Sequence, residues 1–471
     1  MVKVNGEGVE MKVIVSNVLT VTDYPEFIEE WCKQKLVITN PEYTRKVRMN
    51  LWLGNTPKYL YLYEKDSDKL ILPFGTLRKL PAPIDIEYVS DLPTAPTINF
   101  GGKKIKLYPY QENAVQRVLE YKYGILRSPA GSGKTQMGIE LAKRFGTRTL
   151  WLTHTLDLLN QSKARAEQYI DNDLIGTITE GKVNVGKGIT FATIQTMCKL
   201  DLDKYKNTWD TVIVDECHRV AGTPTAVTQF YKVINALAAR HKIGLSATVH
   251  RADGMIAATH ALLGETVYSV PEEEIGDKIV KVGILPVGTN VGVSIECMNS
   301  DGTLNYQKMI TYLTTHPGRA QVIVHEIMSN EGKSCLILSD RLDHLESLMR
   351  LLPSSMQKNA VMVSGKMTSK TGKAEREQAI SDMRTGKKKY LFATYKLAKE
   401  GLDIPCLERL FLTTPQKDSA VIEQSVGRIA RKCEGKAEPI TYDFVDKMAY
   451  LMKSYKQRCT TYRKIGCYFV E

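Results

Sequence analysis

Ser128-Pro-Ala-Gly-Ser-Gly-Lys-Thr135 decides how this chain is read. An apolar segment, Tyr123-Gly-Ile-Leu126, runs into it, and a helical pattern from Lys134 to Phe145 runs out. Strand, glycine-rich loop and helix in that order form a cradle for nucleotide phosphates. Gly131 and Gly133 allow backbone N–H groups to turn inward around phosphate oxygens, with Ser132 between them. The helix start adds unpaired donors and the positive end of its dipole. Lys134 places an ammonium at the β- and γ-phosphates, and the Thr135 hydroxyl suits Mg²⁺. Ser128 stands where the full pattern has glycine, and a glycine-rich turn capping a helix has the same local spelling.

The 471 residues suffice for about three domains. No run of about 18 apolar residues occurs, so no spanning helix is expected. The start, Met1-Val-Lys-Val-Asn5, lacks a signal-peptide core. Nine cysteines without a C-x-x-C pair argue against a zinc ribbon and fit reduced thiols in a cytosol. The net charge of +12 is unevenly spread: about −1 over 1–100, about +4 over 101–280 and about +9 over 281–471. A basic excess in one half points to a polyanionic partner, and lysine-driven solubility explains it equally.

Residues 1–95 read as a small α+β accessory domain. Met11 to Thr22 is β-rich, Pro25 to Leu36 has helical spacing, and Tyr59–Tyr63 with Lys69–Leu72 reads as a hairpin turning at Asp66-Ser-Asp68. Within it, Tyr43, Arg45, Lys46 and Arg48 lie near Trp52 and Lys58. Aromatic and basic residues so interleaved can stack bases and neutralise phosphates. A solvated strand edge with a packed tyrosine accounts for the stretch as well. Pro81, Pro83, Pro93 and Pro96 then mark a linker.

From Leu107 onward, apolar β segments alternate with helical ones. Thr149–Leu152, Ile189–Ala192, Val212–Val214 and Ile243–Leu245 form one series; Cys335–Leu338, Val361–Val363, Tyr390–Ala393, Leu410–Leu412 and Thr441–Phe444 form another. The expectation is an α/β chain with two parallel-sheet lobes in tandem, 101–272 and 281–471, dividing near Pro271. A last helix-like stretch, Asp446 to Arg463, is basic.

The apolar strand Thr211–Val214 ends in Asp215-Glu-Cys-His218, at the end of a sheet strand where ligands bind. Asp215 suits Mg²⁺, and Glu216 suits polarisation of an attacking water, as metal-assisted hydrolysis of a phosphoanhydride requires. Ser246-Ala-Thr248 sits at the lip of the same sheet, within reach of the Asp215-Glu216 region. Gln424-Ser-Val-Gly-Arg-Ile-Ala-Arg431 puts Arg428 and Arg431 three apart, on one face of a helix. Such a guanidinium pair stabilises charge on a transferring phosphoryl group.

These stretches together resemble a superfamily 2 helicase or translocase with two RecA-like lobes. The motifs occur in that family's order over about residues 104–465. Tyr110-Gln111 resembles the adenine-reading segment, Ser128–Thr135 motif I, Thr153–Leu156 with Gln161 motif Ia, and Thr193–Thr196 motif Ib. Asp215–His218 resembles motif II, Ser246–Thr248 motif III, Thr394 with Gly401 to Asp403 motif V, and Gln424–Arg431 motif VI. The resemblance implies ATP and Mg²⁺ as cofactors, with Gln111, Gly401 and Asp403 joining the nucleotide site. It implies strand contacts at Thr155, Gln195, Thr196, Arg341, Thr394 and Lys396, and coupling through His218, Ser246, Thr248 and Gln424. The nearest branch by resemblance holds the XPB repair helicase and the phage UvsW recombination helicase. Val249-His-Arg-Ala-Asp253 is similar to the former's Arg-Glu-Asp element, with Ala252 in place of the Glu.

That resemblance implies a phage-encoded, monomeric motor in the host cytoplasm, moving 3′ to 5′ on forked or branched DNA with single-stranded regions, in replication, recombination or repair. An RNA remodeller of the same superfamily, and a motor subunit serving a nuclease or restriction partner, are the other readings.

Overall fold

The computed structural model describes residues 11–81, 86–92, 96–129, 131–224, 226–247, 255–271, 274, 280–364, 370–399, 402 and 404–470. The chain divides into two compact units, the main division falling between Pro271 and Glu272. Each unit holds one large, mainly parallel sheet, the tandem α/β architecture expected from the alternating segments.

In the first unit the sheet runs, in spatial order, Lys182–Asn184, Ile175–Thr179, Ile189–Thr193, Thr149–Thr153, Thr211–Asp215, His241–Ser246, Gly124–Arg127 and Thr266–Ser269. Four central strands, Thr149–Thr153, Ile189–Thr193, Thr211–Asp215 and His241–Ser246, are buried at every position. Full burial on both faces is why they read as continuous apolar runs rather than alternating ones. The order sets three strands side by side, Thr211–Asp215, His241–Ser246 and Gly124–Arg127, so their C-terminal ends share one lip.

In the second unit seven parallel strands run Ala360–Val363, Tyr390–Thr394, Cys335–Ser339, Arg409–Leu412, Ile440–Val445, Gly283–Gly288 and Tyr468–Phe469. Successive side chains go to opposite faces. Leu336, Leu338, Leu391, Leu410 and Leu412 fill one core, and Cys335, Ile337, Phe392 and Phe411 fill the other. Two fully buried ion pairs tie the sheet to its helices: Arg319 with Asp446 at 2.7 Å, and Arg458 with Asp443 at 2.8 Å.

Residues 11–92 build a five-stranded sheet with the helices Glu26–Lys35 and Pro41–Arg48. The hairpin expected from Tyr59–Tyr63 differs in detail. Glu64–Asp66 is the strand that pairs with Lys69–Pro73, whereas Tyr59–Tyr61 pairs with Val37–Thr39 in a separate ribbon. The segment Asn40–Arg48 is a helix and not a strand edge: the Asn40 side chain caps it by accepting from the Glu42 N–H, and Pro41 occupies its first turn.

This small domain shares a core with the first lobe. Met11, Val13, Leu19 and Leu72 pack in one cluster with Met255, Ala258 and Ala261. Lys242, on the central strand His241–Ser246 and 1% exposed, donates to the carbonyls of Asn17 (3.1 Å) and Ile234 (3.0 Å) and lies over the Phe74 ring. Gly75 presses on the neighbouring helix end so closely that a Cβ there would sit 2.3 Å from Gly264 N.

Candidate functional site

The helix Lys134–Phe145 starts at Gly133, whose φ of 85° is the left-handed turn that only glycine adopts freely; Gly131 has φ 82°. Glycine at 133 is required twice over, because a Cβ there would lie 2.4 Å from Gln111 Nε2. Gln111 is itself fixed. It is 2% exposed, and its Oε1 accepts from the Tyr108 N–H at 2.9 Å. The residue expected to read adenine therefore also buttresses the phosphate loop. Lys134 Nζ donates to the carbonyls of Ser128 (3.2 Å) and Pro129 (3.5 Å), so the ammonium is held within its own loop. Neutral carbonyls are weaker partners than phosphate oxygens, which favours transfer of that ammonium to a polyphosphate. Ser132 is buried and Thr135 half-buried in the first turn.

Asp215 ends its strand 5% exposed. Its Oδ1 accepts from the Glu216 N–H at 3.0 Å, and the Ser162 hydroxyl also donates to it. Burial, and then the Glu216 charge, push its carboxyl up to about 7, against the pull of Lys134. A buried carboxylate held so far from its ordinary value, with the Thr135 hydroxyl on the helix start, is a donor set of hard oxygens that fits Mg²⁺. Glu216 adopts φ 52° and ψ 48°, a left-handed conformation costing a non-glycine residue about 1–2 kcal/mol. The turn sets its Oε2 3.2 Å from His218 Nδ1, and the same nitrogen lies 3.0 Å from Ser246 Oγ. The backbone is laced as well, for the Ser128 N–H donates to the Ser246 carbonyl at 2.9 Å. Lys134, Asp215, Glu216, His218 and Ser246 thus form one connected group at the shared lip.

The expected strand contacts of the first lobe also come together. Thr155 caps the helix Leu156–Ala166, accepting from the Leu158 N–H. Gln195 Nε2 donates to the His154 carbonyl at 2.8 Å, and Thr193 and Thr196 hydroxyls meet at 3.0 Å. These bonds join two neighbouring strand exits into one polar ledge.

In the second unit Arg341 occupies the position before the helix Leu342–Leu351 without capping it through its side chain, Thr394 ends its strand and Lys396 is exposed. Arg428 donates to the Leu402 carbonyl at 3.0 Å, and Gln424 is buried on the same helix. One expectation is corrected. The helix Ser419–Ile429 ends before Arg431, so the two arginines do not share a helical face. The reason is Lys436, whose Nζ donates to the carbonyls of Ile429 (2.7 Å), Arg431 (2.6 Å) and Pro405 (3.3 Å). Three ammonium donors spent on three carbonyls turn the chain away after Ile429. Burial lowers Lys436 to about 8. Thr248, Gly401, Asp403 and the 251–253 element lie outside the described residues.

Sequence reasoning missed Ser162 and Lys436. Ser162 was legible: it falls with Leu159 and Ala166 on the buried face of its helix, where a hydroxyl needs a partner. Lys436 carries no such sign.

Comparison with known proteins agrees with this geometry. Residues 104–251 match the model for "Type III restriction enzyme, res subunit", and residues 318–433 match "Helicase conserved C-terminal domain". The chain is 28% identical over 348 residues to "Putative ATP-dependent RNA helicase L396" of Acanthamoeba polyphaga mimivirus, covering 72% of this chain and 64% of that one, just under two thirds of the relative's length. It is 26% identical over 366 residues to "DNA 3'-5' translocase XPB2" of Sulfurisphaera tokodaii, covering 71% and 80%. Among solved structures, Saccharomyces cerevisiae Dbp5 bound to RNA and ADP BeF3 shares the fold at a TM-score of 0.54 and 18% identity, covering 78% and 90%.

Proposed function

We propose that the chain is a superfamily 2 helicase, an ATP-hydrolysing motor of two RecA-like lobes that unwinds or branch-migrates forked or branched DNA in the 3′ to 5′ sense. Similarity to the XPB2 translocase over 80% of that protein supports DNA and the direction. In this reading Lys134 would contact the β- and γ-phosphates of ATP, Thr135 and Asp215 would hold a Mg²⁺ that offsets phosphate charge, and Glu216 would orient the attacking water. Arg428 and Arg431 stabilise charge on the transferred phosphoryl group. Either arginine replaced by alanine is expected to keep nucleotide affinity within about threefold while kcat falls on the order of 10²-fold or more. An equal loss in affinity and turnover overturns that role.

One observation carries the branched-DNA part. The helix Pro41–Arg48 has no buried residue, and the loop after it leaves Trp52 88% exposed. Tyr43 is half-buried, and Lys46 is occupied by Glu42 and Thr56. Arg45 and Arg48 are exposed, with no side-chain hydrogen bond or ion pair to another described residue. Two exposed guanidinium groups close in sequence to an exposed indole fit phosphates next to an unpaired base. Because this domain shares its core with the first lobe, deleting residues 1–95 would unfold what it tests. The exposed pair Arg45→Ala/Arg48→Ala spares that core. The double variant is expected to keep DNA-stimulated ATP hydrolysis near the parent's while fork unwinding at elevated salt falls at least about tenfold. Parental unwinding removes the patch from the DNA interface.

The mimivirus relative's name favours RNA as a second reading, and the restriction-subunit model favours a motor that serves another chain. Stimulation of ATP hydrolysis by RNA in preference to DNA would establish the first of these. Absence of unwinding by the purified single chain would favour the second.

A further inference from the structure

Four neighbouring strands of the second sheet, Cys335–Ser339, Arg409–Leu412, Ile440–Val445 and Gly283–Gly288, run parallel and end at one edge. The chain leaving each of them carries one residue to a common surface: Arg341, Lys417, Tyr450 and Tyr306 respectively. The rings of Tyr306 and Tyr450 lie edge to face, 6.0 Å between centroids, and Lys417 Nζ sits 6.0 Å from the Tyr306 centroid. Arg341 donates to Gln307 Oε1 at 3.0 Å, beside Tyr306 in sequence. The two tyrosines are 38% and 42% exposed, although each belongs to a helix that is firmly seated.

That seating is unusually heavy for a surface pair. Val291, Cys297, Met309, Ile310, Leu313, Met448 and Leu451 form a separate small core that joins the two tyrosine-bearing helices. Beneath Lys417, Arg319 donates to the Thr413 carbonyl (2.7 Å), Tyr395 to that of Thr414 (2.9 Å) and Arg458 to that of Gln416 (2.9 Å). Among the acidic neighbours, Asp446 is paired with Arg319 and Asp418 accepts from the Ala420 N–H, while Asp340 is exposed next to Arg341 and its charge, after burial, pushes the Tyr306 hydroxyl up. Folding alone gains little from holding two half-exposed rings and two cations in fixed positions. Reading stacked bases from a rigid scaffold does.

We infer that Tyr306 and Tyr450, flanked by Lys417 and Arg341, form a stacking site for unpaired bases of the single strand on which the second lobe moves. This rests on the DNA-motor reading above. The C-terminal edge of a parallel sheet is where α/β lobes bind ligands, and two rings with two cations match a strand's π-faces and phosphates.

The test uses the full chain and fluorescein-labelled oligo-dT of about 20 nucleotides, against an abasic oligomer of equal length, in anisotropy titrations over a range of salt. Tyr306→Leu/Tyr450→Leu is expected to bind oligo-dT about tenfold more weakly with an unchanged salt slope, because stacking releases no counterions. Its affinity for the abasic oligomer should stay at the parent's. Tyr306→Phe/Tyr450→Phe, which keeps the rings, should bind oligo-dT like the parent. Lys417→Gln, an exposed position, should reduce the salt slope by about one. Parental oligo-dT binding by the Leu variant, or equal losses on both oligomers by a variant that melts like the parent, overturns the stacking site alone. If the Leu variant does not fold, loss of oligo-dT binding in the Phe variant, or an unchanged salt slope for Lys417→Gln, overturns it. A parent that binds no DNA and shows no DNA-stimulated hydrolysis overturns the motor reading and this inference with it.

Discussion

Lys134→Ala is expected to abolish ATP hydrolysis while the protein melts near the parental temperature. The side chain is half-buried at the first position of its helix and, among the described residues, donates to the carbonyls of Ser128 and Pro129. Two bonds from a half-exposed ammonium to carbonyls of its own loop are worth at most about 1.5–3 kcal/mol each to folding, less solvent screening, so the fold survives their loss. Catalysis loses more. In the proposed reading the ammonium is the charged clamp for the β/γ-phosphates, and removing such a clamp costs on the order of 10²- to 10³-fold or more in kcat. A second effect adds to the first. Lys134 is the cation that opposes burial and Glu216 in setting the Asp215 carboxyl, so its removal drives that carboxyl further up from about 7 and leaves less carboxylate for Mg²⁺ at neutral pH. Nucleotide affinity should therefore fall together with kcat, and more at pH 6.5 than at pH 8. A turnover number equal to the parent's would remove this loop from the catalytic site.

Much of this was legible because backbone and chemistry constrain the same residues. The helix predicted from Lys134 to Phe145 is observed over that span, since its glycine start and apolar period have no competing solution. The central strands were legible because burial on both faces leaves continuous apolar runs. Elsewhere, local pattern and tertiary context disagree. Tyr59-Leu-Tyr-Leu-Tyr63 alternates like one strand, yet the chain changes sheets within it, because Leu60 and Leu62 are buried while Tyr59 pairs with Thr39. Asn40-Pro41 is a helix start in sequence, and basic-aromatic composition drew attention away from it. Arg319 and Arg458 look like surface residues, and their partners lie 127 and 15 positions away. No periodicity marks a buried guanidinium. It is stable there only because Asp446 and Asp443 meet it in the fold. Among candidate site residues the same division holds: contiguous motifs were found, whereas Lys436, which acts through three carbonyls from two loops, was not.

Glu216→Gln is expected to bind nucleotide at least as well as the parent and to hydrolyse it on the order of 10²- to 10⁴-fold more slowly. The amide keeps the size and hydrogen-bonding reach of the carboxylate, so the left-handed turn at 216 and the approach to His218 persist. It cannot accept a proton from water, which removes the general-base contribution. Its effect on Asp215 has the opposite sign. The Glu216 charge is the second cause, after burial, of the raised Asp215 carboxyl, so the substitution brings that carboxyl down from about 7 toward its ordinary 3.8. More Asp215 is then ionised at neutral pH, and it would hold Mg²⁺ more tightly. The same shift is visible without catalysis. A folded-state carboxyl above its unfolded value means the folded protein binds more protons, so in the parent Asp215 lowers stability as pH rises from about 4 to about 7. Glu216→Gln should flatten that decline, and the Tm difference between pH 5 and pH 8 in nucleotide-free protein should be smaller than in the parent. Turnover, nucleotide Kd and Tm against pH are three separate measurements. Lost nucleotide binding with retained turnover would exchange the roles of the two carboxylates, and an unaltered pH dependence of Tm would mean that Glu216 does not set the charge of Asp215.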